Sequence, residues 1–327
     1  MADSQEDLQS RVDDVGYDEH LVAKVAHLYY IDGYRQRELA ERCGLSTSTV
    51  SRYLSAARER GYVQIRVHDP YGQINDIELS LEKRFGLKEC LVAPYSQNRT
   101  ILIQNLAAVV GHYLSRALEP GELLGLGWGE SMRAVGTHLS VEHPLRINLI
   151  STIGAMGEIA SGVYPNAIAA AFARRLGARH YLVNTPALLG TEKAKRIVEA
   201  DKSFRKIREL WSNMSSALVG ASDIADDCSL VRRGIVTKED VAELRSLGVT
   251  QTMNGAFFDD EGKLIPNPVA ARFISMKPAE LRRLRTNALL AYGPEKVGTI
   301  LALLKGGHIN VLLTDEETAA SVLERAG

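Results

Sequence analysis

From residue 77 to the C-terminus, short apolar runs alternate with amphipathic stretches, and this alternation limits the fold more than any other feature of the chain. KECLVAP, ELLGLG, RINLIST, RHYLVN, SALVGAS, TNALLAYG and NVLLTD read as buried strands. Between and after them, IELSLEKRFG, ILIQNLAAVVGHYLSRAL, SMRAVGTHL, YPNAIAAAFARRLG, TKEDVAELRSLG, PEKVGTILALLKGG and EETAASVLERA carry apolar residues at helical spacing. Strands apolar on both faces need cover on both faces, so the pattern predicts a mostly parallel α/β sheet between helical layers. Ligands in such folds bind beyond the C-terminal ends of the strands.

At 327 residues the chain is long enough for two or more domains. No apolar run approaches the roughly 18 residues that a membrane helix needs. The polar, acidic opening MADSQEDLQSRVDDVG reads as a leader over residues 1–16, without the character of a signal peptide. Three widely spaced cysteines, Cys43, Cys90 and Cys228, have neither disulfide-framework nor metal-ligand spacing. Together these features predict a cytoplasmic protein with no metal and no cofactor. His112, His138, His143 and His180 show no metal spacing and read as structural or solvated.

Residues 17–67 have a different grammar. Leu21, Val25, Leu28 and Tyr29 mark a first helix that Gly33 ends. In QRELAERCGLSTSTVSRYLSAARERGYVQIRV, Leu39 and Ala40 face one way on a short helix, Gly44 permits a sharp turn, and Leu45, Val50 and Leu54 stripe the next helix. Ser46 is a good N-cap for that helix. Its polar side carries Thr47, Ser48, Thr49, Ser51 and Arg52, residue types suited to phosphate and base-edge contacts in a major groove. From Tyr34 to His68 there are seven arginines against three glutamates, a local excess of about four positive charges in a chain of net charge −1. Arg37, Arg52 and Arg58 join the hydroxyls of residues 46–49 and 51 as candidate operator-DNA contacts. GYVQIRV reads as a wing. The alternative is a helical hairpin used for packing or dimerisation.

In the larger region, LGLGWGESM (residues 124–132) places three glycines before a helix. Gly127 and Gly129 allow close backbone approach, Ser131 offers a hydroxyl, and a helix N-terminus favours a bound anion. Glu130 either points away from such an anion or bonds a sugar hydroxyl. Alternatively, the glycines serve only to pack the helix. In AYGPEKVGTILALLKGG, Lys296 sits in a first helical turn, where it opposes the helix dipole unless an anion is bound beside it. Ser151, Thr152 and Gly154 follow a strand and are further candidates for ligand oxygens. Asn166 is either a ligand residue or a helix cap, and Asp259 either accepts sugar hydroxyls or shapes a turn. Trp128, Tyr164 and Trp211 are either packing or sugar-stacking residues.

GYRQRELAERCGLSTSTVSRYLSAARERGYVQIRV resembles the helix-turn-helix of bacterial SorC-type sugar-responsive transcriptional regulators, and the resemblance runs almost to the C-terminus. LGLGWGESM is similar to that family's loop, itself like the phosphate loop of ribose-phosphate isomerase and glucosamine-phosphate deaminase. AYGPEKVGTILALLKGGHINVLLTDEETAASVL resembles the family's C-terminal signature, in which a lysine contacts ligand phosphate. The resemblance implies that role for Lys296, the phosphate-loop role for Gly127, Gly129 and Ser131, and a ligand-binding segment at GAFFDDEG. Many relatives carry a glycine–aspartate pair shortly before that segment, where Gln251 and Thr252 stand here. A lost carboxylate changes which hydroxyls are recognised, and Asp259 does not inherit the role.

The resulting expectation has four segments: a leader over 1–16, a winged helix-turn-helix over 17–67, a linker over 68–76 (HDPYGQIND), and an effector and oligomerisation domain over 77–327. The effector domain is expected to take a fold resembling the sugar-phosphate isomerases and deaminases (NagB/RpiA/CoA transferase-like). The function expected is repression of a carbohydrate or polyol catabolic operon, with operator binding controlled by a sugar or sugar-alcohol phosphate bound in the C-terminal domain. The alternative is a sugar-phosphate isomerase or deaminase with an appended DNA reader, which needs a poised base that only Glu130 offers near the loop. A helix-turn-helix reader is expected to act as a symmetric dimer or tetramer, and the resemblance implies a tetramer. Ile77, Leu81 and Phe85 are candidates for that interface or for ordinary core.

Overall fold

The computed structural model describes residues 18–63, 72–155 and 164–327. The leader, residues 64–67 of the expected wing and residues 68–71 of the expected linker lie outside the described residues. The chain forms two compact units, Met1–Pro70 and Tyr71–Gly327.

Among its described residues, the first unit has three helices: α1 (Glu19–Tyr30), α2 (Gln36–Cys43) and α3 (Thr47–Glu59). Asp18 caps α1 by accepting from the Leu21 amide, and Ser46 caps α3 by accepting from the Thr49 amide at 3.1 Å. Gly44 ends α2 at φ +67°, a left-handed conformation that glycine adopts freely, and the Leu45 amide closes the turn on the Ala40 carbonyl at 2.9 Å. Val22, Val25, Leu39, Val50, Leu54 and Ala57 are the centre of its apolar core.

In the second unit, α4 (Gly72–Phe85) leads into β1 (Glu89–Ala93), α5 (Arg99–Ala117), β2 (Leu123–Leu126) and α6 (Glu130–His138). β3 (Asn148–Ser151), α7 (Pro165–Leu176), β4 (Arg179–Tyr181), α8 (Glu192–Ala200), α9 (Lys202–Ser212) and β5 (Ser216–Val219) follow. Then come β6 (Ala221–Asp223), α10 (Lys238–Ser246), β7 (Gln251–Met253), β8 (Ala256–Phe258) and β9 (Thr286–Leu290). A 3-10 turn (Pro294–Lys296), α11 (Val297–Lys305), β10 (Val311–Asp315) and α12 (Glu316–Ala326) complete the chain.

Seven strands form one sheet in the order β1-β10-β9-β5-β2-β3-β4, every pair parallel. Alternate residues of each strand point to opposite faces, and both faces are apolar. Leu124, Leu126, Leu218, Leu290 and Leu313 enter one core cluster, while Ile150, Ala217, Leu289 and Leu312 enter another on the opposite side. The expected α/β class, with a helix-turn-helix ahead of it, is what the chain forms. Chain order explains where a site can open. From β2 the chain winds outward through β3 and β4, then returns to β5 on the other side of β2, so the switch point lies between β2 and β5.

Three features depart from the sequence reading. Residues 72–76 are the start of α4 rather than linker, because Ile74 and Ile77 reach the core on the same face as Leu81. Ile77 and Leu81 are buried there with Phe85 packed beside them, so these three serve the domain's own core. SALVGAS is two strands: Gly220 breaks it, and β6 joins β7 and β8 in a small antiparallel sheet. α8 and α9 were not anticipated. Among the described residues, no helix is long and apolar enough to cross a membrane.

Candidate functional site

Two surfaces carry candidate functional groups. On the first unit, Ser46, Thr47, Ser48, Ser51, Arg52 and Arg58 are exposed along α3, with Thr49 half-buried. The hydroxyls at the helix start are already linked, Ser46 Oγ lying 2.7 Å from Ser48 Oγ and 2.8 Å from Thr49 Oγ1. Arg37 is exposed on α2, 3.9 Å from Glu41. The apolar stripe of Val50 and Leu54 turns inward, leaving the polar side of α3 outermost.

The second surface is a cavity of about 380 Å³ over the C-terminal ends of β2, β5 and β9. Each strand contributes the residues that immediately follow it: Trp128–Ser131 after β2, Gly220–Asp223 after β5, and Tyr292, Glu295 and Lys296 after β9. Two glycines shape its rim. Gly129 (φ +132°, ψ 169°) and Gly293 (φ +100°, ψ 154°) start the α6 and 3-10 segments in a region essentially closed to other residues. Both turn the chain sharply out of the sheet, so the first-turn amides of α6, which lack intrahelical acceptors, begin at the cavity.

Among the described residues, three cations line this space: Arg99 from the first turn of α5, Arg232 and Lys296. Burial pushes the Lys296 ammonium below the ordinary lysine pKa, against the opposing pull of the Asp223 and Glu295 charges. Its Nζ donates to Ser222 Oγ at 3.3 Å. Among the described residues, no carboxylate comes within 4.0 Å of it, so its charge is desolvated and not neutralised by an ion pair. Glu130 is the opposite case. Its carboxylate is gripped by the Arg133 guanidinium, whose Nε lies 3.1 Å from both oxygens, and approached by Arg233 at 3.4 Å. The hydrogen bond from Arg133 holds its pKa below the ordinary glutamate value. A carboxylate committed in this way is a poor general base.

A winged helix-turn-helix DNA-binding model matches residues 32–64, and the family model described as "Putative sugar-binding domain" matches residues 69–324. The sorbitol operon regulator of Klebsiella pneumoniae is 30% identical over 312 residues, covering 94% of this chain and 98% of that protein. This chain belongs to the SorC-type family of transcriptional regulators. The deoxyribonucleoside regulator of Bacillus subtilis is 27% identical, covering 93% of this chain and 97% of that protein. The crystal structure of the full-length Klebsiella sorbitol operon regulator SorC matches with a TM-score of 0.71 at 28% identity, over 94% of this chain and 100% of that one. Relatives matched over nearly their whole length are named as regulators, so the protein is a regulator and the reading as an enzyme with an appended DNA reader is set aside.

Within this SorC-type regulator, the structure sorts the residues singled out from the sequence. Trp128, Gly129, Glu130, Ser131 and Lys296 converge on the cavity. Gly127 is not among the lining residues: a Cβ there would lie 2.8 Å from the Val219 Cα, and its amide donates to the Leu218 carbonyl at 2.8 Å, so it packs β2 against β5. Gly154 packs likewise, its absent Cβ falling 2.6 Å from the Thr185 carbonyl oxygen. Asn166 neither lines the cavity nor caps α7. Its side chain pairs with the backbone of Val183, donating at 3.0 Å and accepting at 3.1 Å. The Asp259 carboxylate is taken up by the amides of Glu261 and Lys263, which makes it the shaper of a turn. Ser151 and Thr152 are fully buried and bonded internally, and Trp211 donates to the Ser151 carbonyl. Trp128 packs against two core clusters and also forms cavity wall. His112, His138, His143 and His180 are exposed, and no metal-binding cluster occurs among the described residues.

Gln251 accepts from Thr299 Oγ1 at 2.6 Å and points into the protein, while Thr252 lines the cavity with its hydroxyl donating to the Ala256 carbonyl. The sequence reading missed Arg99, Ser222, Asp223, Arg232 and Tyr292. Arg99 carries the same signal as Lys296, a cation in a first helical turn, and was legible on that ground. The others had no local signal.

Proposed function

We propose that this regulator represses a carbohydrate or polyol catabolic operon, and that a sugar or sugar-alcohol phosphate bound in the cavity controls its grip on operator DNA. The observation that carries the reading is the half-buried Lys296 ammonium, without an ion-pair partner among the described residues, in a cavity that also meets the start of α6. A desolvated cation beside free helix amides is a strong anion site. Arg99 and Arg232 add charge. Ser131 and Gly129 supply the phosphate-loop contacts, and Trp128 supplies an apolar wall for a carbon chain. The names of relatives support the carbon source: sorbitol, deoxyribonucleosides and, for the Brucella abortus protein EryD, erythritol catabolism.

On the DNA side, Arg37, Ser46, Thr47, Ser48, Thr49, Ser51, Arg52 and Arg58 form the operator-facing set. A symmetric homo-oligomer, dimer or tetramer, lets two α3 helices read repeated half-sites. Control requires only that the effector bind one state of the assembly better than the other.

Lys296→Ala tests the reading. Affinity for the cognate polyol phosphate, measured by calorimetry, is expected to fall about 100-fold or more, the roughly 3 kcal/mol scale of a lost charge-assisted hydrogen bond. Binding to DNA selected from the region flanking the gene should stay unchanged, and phosphate-induced release from it should disappear. A variant that releases DNA normally would remove Lys296 from the phosphate site.

A further inference from the structure

Among the described residues, four carboxylates line the cavity: Glu130, Asp223, Asp227 and Glu295. They differ in what their oxygens already hold. Glu130 is ion-paired with Arg133 and Arg233. Asp227 lies 3.6 Å from Arg232 with its side chain 86% exposed, and Glu295 is exposed. Asp223 is half-buried, and among the described residues it has no ion pair within 4.0 Å. Its Oδ1 receives a hydrogen bond from Ser222 Oγ at 3.2 Å, and Ser222 Oγ in turn accepts from Lys296 Nζ at 3.3 Å. An ammonium, a hydroxyl and a carboxylate therefore stand in line on the cavity wall.

An ionised carboxylate offers about four acceptor sites, so most of Asp223 remains unfilled. The neighbouring wall cannot fill it. The Thr252 hydroxyl already donates to Ala256, and the Asn254 amide already donates to the carbonyls of Thr152 and Met276. Strand pairing holds Asp223 opposite Gln251, whose amide nitrogen reaches Asp260 instead. A half-buried carboxylate with Ser222 as its one side-chain donor among the described residues is completed by ligand donors, and a pair of adjacent hydroxyls can reach its two oxygens. A phosphate would be repelled there and drawn to the cations.

We infer that Asp223 reads adjacent hydroxyl groups of the effector and so sets which polyol phosphates the cavity prefers. This rests on the sugar-phosphate reading above and adds the residue that discriminates among such ligands. A phosphate ester with a hydroxyl-free carbon chain leaves Asp223 unsatisfied.

The test is calorimetric titration of the intact protein with inorganic phosphate, methyl phosphate, glycerol 3-phosphate, erythritol 4-phosphate, ribitol 5-phosphate and glucitol 6-phosphate. In the wild type the best polyol phosphate should bind at least 30-fold tighter than methyl phosphate. In Asp223→Asn that gain should shrink to threefold or less, with methyl phosphate binding unchanged or improved. Ser222→Ala, which removes the hydrogen bond that orients the carboxylate while leaving the carboxylate itself, should lose an intermediate share. The inference is overturned if hydroxyls add nothing in the wild type, or if both variants, folded by thermal unfolding, keep the full gain. In either case, binding of inorganic and methyl phosphate leaves the phosphate reading standing. If no phosphate binds but glucitol does so only with Asp223 present, the hydroxyl reading stands and the phosphate reading falls. If nothing binds, both fall.

Discussion

The DNA-reading unit and the effector domain assemble their functional surfaces in opposite ways. On α3, six candidate contact residues lie within the seven positions Ser46 to Arg52, and one helix presents them all. In the cavity, Arg99, Ser131, Asp223, Arg232 and Lys296 come from five segments spread over nearly two hundred residues. The interiors differ as well. Among the described residues of the first unit, every buried side chain is apolar, whereas the effector domain buries Lys195, Gln251, Asn254, Asn287, His308 and Asp315. A small helical unit cannot meet the cost of burying polar groups, so its chemistry stays outside. A large sheet domain can hold desolvated charge, and binding an anion requires it.

That contrast can be broken at four points, in descending order of effect. Gly127→Ala pushes a methyl group against the Val219 backbone, and it should destabilise the effector domain by about 3 kcal/mol or less. Effector affinity per folded molecule should persist; its loss with stability intact would return Gly127 to the phosphate site. Denaturant unfolding followed by titration measures both.

Lys195 probes the tolerance for buried charge. Burial, followed by the hydrogen bond and charge of Lys277, pushes its pKa down to about 8. In the unfolded chain the ordinary lysine value of about 10.4 returns. Below pH 8 both states are protonated and the folded state carries the full penalty. Between about pH 8 and 10.4 the unfolded state binds more protons, so stability from this residue rises with pH. Lys195→Met should therefore stabilise at pH 7 by on the order of 2 kcal/mol, and its advantage should shrink as pH rises through that window. An advantage flat with pH would mean that Lys195 pays no charge penalty.

Arg52→Ala should weaken operator binding about tenfold or more and reduce the slope of log affinity against log salt by about one if the contact is to phosphate. Effector-induced thermal stabilisation should be untouched, since the group lies on the outer face of α3. Ser46→Ala removes the α3 cap and should cost about 1 kcal/mol. A loss of DNA affinity larger than that stability change, read by titration below the unfolding transition, would make Ser46 a direct contact.

Much of this was legible before any coordinates. The Leu39–Ala40–Gly44–Val50 pattern specifies the turn between α2 and α3 because all of its contacts are local. Buried runs alternating with amphipathic stretches specify a parallel sheet with two covered faces. The hairpin of β7 and β8 was also available, since Asn254 (φ +53°) and Gly255 (φ +78°) form the Asn-Gly loop that favours such turns. α8 and α9 were legible too and were passed over: Phe204, Ile207, Leu210 and Trp211 recur at helical spacing on one face of α9, and that face packs on the core.

By itself, the sequence determined the class of each domain, the helix that carries the candidate DNA contacts and two of the cavity's edges, the glycine loop and Lys296. These are properties of short windows, where backbone preference and periodicity decide. Only the tertiary structure decided that Gly127, Gly154, Asn166 and Asp259 serve packing and turns, and that Asp223 is linked to Lys296 through Ser222 on the cavity wall. Strand order made those decisions. Setting β5 between β9 and β2 brings the ends of distant segments together over one cavity, and no local spacing in the chain encodes that neighbourhood.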